Sequence, residues 1–242
     1  MKKILLLTIP VFVLTLTSCS SWVNGSKPLS DKALSDNQIN AKIIDGQSTI
    51  ESVDSIFGKR DTGRALTHKT FPEGKKSIAV YHGNFNSFGA TYAHRKLYVA
   101  YGDDNKIINH DVVINDFRKE NAFEKDPVNS KNLAFSDINK GDGKEKVVSL
   151  LGEPKDITFS DEGSLLWVYA NTDISRDASS YIPLYSLAKG TESGISERLY
   201  IEFDRSGKVN NLLSASVNIT QGRGISNADN YEEKFNRIIK KY

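Results

Sequence analysis

Apolar positions along the chain form two patterns, and each occurs twice. The stretch STIESVDSIFG, Ser48 to Gly58, sets Val53, Ile56 and Phe57 on one helical face. Ser48 and Glu51 have capping-box spacing at its start, and Gly58 predicts the stop. DGKEKVVSLLG, Asp142 to Gly152, repeats this grammar 94 positions later. There Asp142 and Glu145 open the helix, Val147, Leu150 and Leu151 form its stripe, and Pro154 follows the stop at Gly152. Upstream, Ile39 and Ile44 match Leu133 and Ile138, which predicts an apolar helix ahead of each capped one.

The second pattern alternates. KLYVAYGDDNKI, Lys96 to Ile107, matches RLYIEFDRSGKV, Arg198 to Val209, and predicts a strand, a turn and a return strand. SIAVYHG from Ser77 and LLWVYAN from Leu165 predict one more strand in each copy. A period near 95 is too long for a solenoid. The expected class is α+β: two tandem small domains, each with two helices packed on a three-stranded antiparallel sheet. They span residues 37–118 and 119–222.

The copies differ in their connections. The second carries a long loop over 171–196, about 14 residues longer than its counterpart. Tyr181, Ile182, Leu184 and Tyr185 make it too apolar for a solvated loop, so it either packs on the sheet or presents a binding surface. Residues 223–242 predict a C-terminal amphipathic helix with Tyr231, Phe235, Ile238, Ile239 and Tyr242 on one face. Its acids come early and its bases late, which suits a helix dipole. It docks on its own domain or meets a partner.

The N-terminus begins with Lys2 and Lys3, followed by an apolar run over residues 4–17. That run is shorter than the roughly 20 residues of a membrane span and matches a signal peptide over 1–18. LTSC, Leu16 to Cys19, resembles the lipobox of bacterial lipoproteins. The resemblance implies cleavage between Ser18 and Cys19 and fatty acylation, palmitate included, of Cys19. Residues 19–36, polar and with Gly25 and Pro28, read as a tether, in which Trp22 is either an interfacial anchor or an ordinary tether aromatic. With Ser20 rather than Asp after the cysteine, sorting rules imply the outer membrane of a two-membrane host, facing the periplasm. In a single-membrane host the implied site is the outer face of the cell membrane.

Composition removes several function classes. The chain has 242 residues, 38% hydrophobic and 26% charged, in the range of folded globular proteins. Loss of Lys2 and Lys3 takes Lys+Arg from 32 to 30 against 30 Asp+Glu, so charge gives no argument for nucleic acid. Cys19 is the only cysteine and is assigned to lipid, so no disulfide is expected. The histidines are His68, His82, His94 and His110, all in the first copy, and their spacing shows no metal-ligand set; His82 and His94 become neighbours if they flank one hairpin. GDDN at 102–105 and DRSG at 204–207 occupy the same turn slot. No Gly–x–Ser–x–Gly elbow or dinucleotide-binding glycine pattern appears. No catalysis, cofactor or metal is expected.

INKGDGKEKVVSLLGEP followed by LLWVYAN resembles the SmpA/OmlA/BamE-like family of small lipoproteins. The matching positions are Ile138, Gly141, Val147, Leu151, Gly152, Pro154, Trp167 and Tyr169. The first copy keeps Ile44, Thr49, Val53, Phe57, Gly58 and Tyr81. It lacks the tryptophan and the proline, and Gly143 stands where the family usually has threonine. The family's members in β-barrel assembly usually carry one such unit, while the β-lactamase-inhibitory proteins carry two. The resemblance implies a lipid-anchored, non-catalytic protein-binding or scaffold module in the envelope, with an envelope protein as partner. An inhibitor or immunity-type lipoprotein acting on a periplasmic enzyme is the alternative. A metal-handling protein built on the histidines is a third. The expected contact surface comprises Trp167, Tyr169, Tyr181 and Tyr185.

Overall fold

The computed structural model describes residues 25–61, 77–160, 162–176, 190–222 and 231–242. Helices α1 (Lys27–Ser30), α2 (Asp36–Asn40) and α3 (Ile50–Phe57) precede strands β1 (Ser77–Ser87), β2 (Ala90–Tyr101) and β3 (Ile107–Asp116). Helices α4 (Ala122–Lys125), α5 (Pro127–Asp137) and α6 (Lys144–Leu151) precede β4 (Asp156–Phe159), β5 (Leu165–Arg176), β6 (Thr191–Phe203), β7 (Val209–Gly222) and β8 (Tyr231–Lys240). Each set of strands forms an antiparallel sheet in chain order.

The two halves close alike. The Gly46 N–H donates to the Ile107 carbonyl at 2.7 Å, and the Gly141 N–H to that of Val209 at 2.8 Å. The return bonds run from Ile107 N–H to Ser48 O at 2.9 Å and from Val209 N–H to Asp142 O at 2.8 Å. The β2–β3 turn has Asn105 at φ +62°, and the β6–β7 turn has Gly207 at +74° in the same slot. One left-handed residue there reverses the chain without opening the ladder.

The helix caps fall one residue later than their pattern predicts. Thr49 caps α3 in a reciprocal pair with Ser52, while α6 starts from Gly143 with no side-chain cap. Ser48 Oγ instead accepts the Ile44 N–H at 2.9 Å, and Asp142 accepts that of Asn139 at 2.7 Å. Both side chains brace the turn leading into the helix.

The α+β class with two three-stranded sheets is corrected. Among the described residues strand takes 50% and helix 22%, and the second sheet has five strands rather than three. β4 extends one edge and β8 the other. β8 lies where the C-terminal helix was expected. Its apolar residues do not alternate strictly, but a bulge opposite Ser216 and Val217 absorbs the extra position. Phe235 then pairs with Val217 and Ile238 with Ala215, on one face of the sheet. The Arg198 guanidinium reaches across to Glu233 at 3.0 Å, fixing β8 to β6 over the intervening strand. The open edge of β7 gains a complete hydrogen-bonded partner, which a docked helix would not supply.

The connections also change. β5 runs to Arg176 and β6 begins at Thr191, so the ladder takes both ends of the expected loop. The tether expected over 19–36 ends by Gly25. From there the chain packs on β1: Gly25 bridges Gly83, the Ser26 N–H donates to His82 O at 2.7 Å, and Leu29 is fully buried. Gly83 permits this approach, since a Cβ there would lie 2.4 Å from the Leu29 carbonyl carbon.

The first sheet is buried on both faces. Ala79, Tyr81, Leu97 and Val99 pack under α1–α3 with Leu29, Ile39, Val53 and Phe57. Val80, Tyr98, Ala100 and Val113 point the other way and join the core of the second half, with Val147, Leu151, Trp167 and Phe203. The two units therefore share a core rather than forming separate domains. A smaller cluster of Tyr200, Leu213, Ala215, Val217 and Ile219 lies on the opposite face of the five-stranded sheet.

Candidate functional site

Trp167 and Tyr169, expected to meet a partner, are core residues. Tyr169 has no exposed surface and Trp167 is buried. The Trp167 ring packs edge-on against Phe203 at 4.8 Å, and the Tyr169 hydroxyl donates to the Gly152 carbonyl at 2.8 Å. Burial and the nearby Glu153 carboxylate push the Tyr169 phenol well above its ordinary range, so it stays a hydrogen-bond donor. Alternation explains the placement: both residues lie on the β5 face that meets the helices. Tyr181, Tyr185, Ser18 and Cys19 lie outside the described residues.

Trp167 belongs to a polar junction between the halves. Its Nε1–H donates to Asp111 Oδ2 at 3.1 Å, and Lys144 Nζ lies 2.7 Å from the same oxygen. Asp111 Oδ1 accepts from Asn40 Nδ2 at 3.2 Å and from the Val112 N–H at 2.9 Å. One buried carboxylate thus links β3, α2, α6 and β5. The Tyr98 hydroxyl meets Asp156, and Asn109 Nδ2 donates to the Gly163 carbonyl at 3.0 Å, both across the same boundary. The Asp111 and Asp156 carboxylates are taken up by donors within the chain, so the junction is a fastening.

His82 and His94 are neighbours across β1 and β2, their rings 6.2 Å apart and edge-on. His82 Nδ1 is 2.6 Å from Asp61, and that hydrogen bond raises its pKa despite partial burial. Burial, followed by the adjacent His82, lowers that of His94, whose Nδ1 meets Asn84 Oδ1 at 2.7 Å. His110 Nδ1 meets Asp45 at 2.7 Å and its Nε2 faces Asn40 O at 3.1 Å. Among the described residues, no group of three or more His, Cys, Asp or Glu is placed to hold a metal ion. His68 lies outside them.

A groove of about 510 Å³ opens on the outer face of the second sheet, running from the start of β5 across the end of β6 to β7 and β8. Leu166, Leu213, Ile238 and Tyr242 give it an apolar floor. Lys140, Lys240, Glu162 and Glu202 stand around it with both signs of charge. Tyr242 is fixed by its N–H to Asn211 Oδ1 at 3.2 Å and its hydroxyl to the Ile138 carbonyl at 3.3 Å. Among the described lining residues there is no histidine or cysteine to pair with the Ser160 hydroxyl. The helical reading of residues 223–242 concealed this groove, because it requires β8 as a strand. The pairing of Glu202 with Asn211 was the available signal, since it sets Glu202 between Leu166 and Asn211 across three neighbouring strands.

No protein-family model, curated protein or solved structure matches this chain.

Proposed function

We propose that the chain is a lipid-anchored envelope protein that binds another protein without catalysing a reaction. The observation that carries this reading is the groove on the outer face of the second sheet. Its apolar floor within a charged rim has the anatomy of a protein interface. The Leu–Thr–Ser–Cys sequence supports the anchor, through Cys19, in the outer membrane or, in a single-membrane host, on the cell surface. The repeated helix–hairpin closure supports the resemblance of each half to BamE-like lipoproteins. The contact surface is assigned to Leu213, Ile238 and Tyr242 in place of Trp167 and Tyr169.

The test is photo-crosslinking in the host cell from Ile238, with Asp104 in the β2–β3 turn as the remote position. The expected outcome is a discrete protein adduct from Ile238 that Leu213→Glu abolishes while the folded protein persists. No adduct from Ile238, or the same adduct from both positions, would overturn the assignment.

A further inference from the structure

We infer that the tip of the β1–β2 hairpin is a second membrane contact, where Phe88 enters the bilayer that holds acylated Cys19. This rests on the anchoring reading above. Phe88 is fully exposed, at 108% of its reference surface, and has φ +50°, followed by Gly89 at +81°. A two-residue turn with two positive φ values favours asparagine and glycine; a bulky aromatic is strained in it. The Phe88 ring contributes no burial to the fold. Strain and full exposure together point to an apolar partner outside the chain.

The groups behind the tip suit a membrane interface. Tyr92 sits at a bulge, since Phe85 pairs with Ala93 and Asn86 with Thr91. The Arg118 guanidinium lies 4.0 Å from the Tyr92 ring centre and the Lys32 ammonium 5.0 Å from it. Phe117, half exposed, donates its N–H to Tyr92 O at 3.0 Å. Tyrosine with long cationic side chains is the composition of the headgroup layer. Tyr92 lies two strand positions from the base of the turn at Ala90, about 7 Å. Arg118 is paired with Asp116 at 2.7 Å, and Asp31 and Glu120 adjoin Lys32 and Lys119 in sequence. Charge is therefore nearly balanced, and the contact is apolar.

Chain length brings anchor and tip to one plane. The antiparallel bridge of Gly25 with Gly83 aims the N-ward chain direction at the tip. Cys19 is six residues from Gly25, a reach of at most about 20 Å. Phe88 is five residues from Gly83, about 17 Å along the strand. A bilayer holding Cys19 thus lies within reach of Phe88.

The full acylated chain, reconstituted in phosphatidylcholine vesicles, tests this with an environment-sensitive label at Phe88→Cys or, as control, Asp104→Cys. The acylated Cys19 leaves no competing thiol. Spin-labelled acyl chains should quench the label at 88 roughly threefold more than that at 104, at low and high salt alike. Mass spectrometry of the N-terminal peptide reads acylation separately. An acylated chain with both labels quenched equally overturns the tip contact and leaves the anchor standing; an unacylated Cys19 overturns both. Phe88→Asn, which relaxes the turn, should raise the thermal midpoint yet weaken the quenching of a label at Ala90→Cys. Unchanged quenching there overturns the role of Phe88.

Discussion

Replacing Asp111 with alanine removes one carboxylate that serves four donors at the boundary between the halves. The donors differ in what they lose. Lys144 is about a third exposed, with 31% of its side-chain surface accessible, so its ammonium swings into water and the lost pair costs only about 1 kcal/mol. The Trp167 Nε1–H is 3.1 Å from Asp111 inside the core, and stranding it costs roughly 1–3 kcal/mol. The Asn40 amide is partly exposed and rehydrates. The sum is about 3 kcal/mol for Asp111→Ala, and Lys144→Met, which leaves the buried Asp111 carboxylate without its cation, should cost a comparable amount. Urea unfolding followed by tryptophan fluorescence measures both. Because the two halves share a core, the loss should shift a single transition rather than split it. If Lys144→Met proved nearly neutral, the Asp111 carboxylate would not depend on its cation and the indole and amide donors alone would hold it. If Asp111→Ala cost under about 1 kcal/mol, the carboxylate would not be fastening the halves at all.

Arg95 is buried, donates to the Asp31 carbonyl at 2.9 Å and sits 3.0 Å from the Asp36 carboxylate, an ion contact without hydrogen-bond alignment. Arg95→Met should therefore loosen α1 and α2: amide exchange over residues 26–39 should speed up at least tenfold while β2 stays protected, and equal protection of both would refute it. For His82, the Asp61 hydrogen bond raises the folded pKa above the usual 6.5, so its stabilisation is full below that value and is lost as pH rises through the folded pKa. Asp61→Asn should lower the pKa of His82 toward 6.5 in an NMR titration and flatten the stability loss above it; an unmoved titration would show that Asp61 is not the cause.

The sequence made some elements legible because their causes are local. Two helices stopping at glycine and two hairpins with matching turns follow from side chains a few residues apart. Thr49 shows the limit of that reading, since Ser48 and Thr49 both suit a cap and the turn ahead of the helix decides between them. Cys19 and Ser18 belong to a local pattern too. The candidate site was much less legible. Trp167 and Tyr169 read as aromatic anchors, yet alternation alone does not say which face of a sheet meets helices and which meets water.

By itself, the sequence determined the repeated unit: a helix stopped by glycine and a hairpin with its turn, each written twice. Only the tertiary structure decided how the units meet. The first sheet offers apolar residues to both sides, and the second half needs a cover for Trp167 and Phe203, so they merge into one core. Only the tertiary structure turned residues 231–240 into a strand, because the deciding partners, the β7 edge and Arg198, are distant in sequence. The Gly25 bridge carries the same lesson. A polar stretch expected to be slack becomes part of the fold once Gly83 leaves room for it.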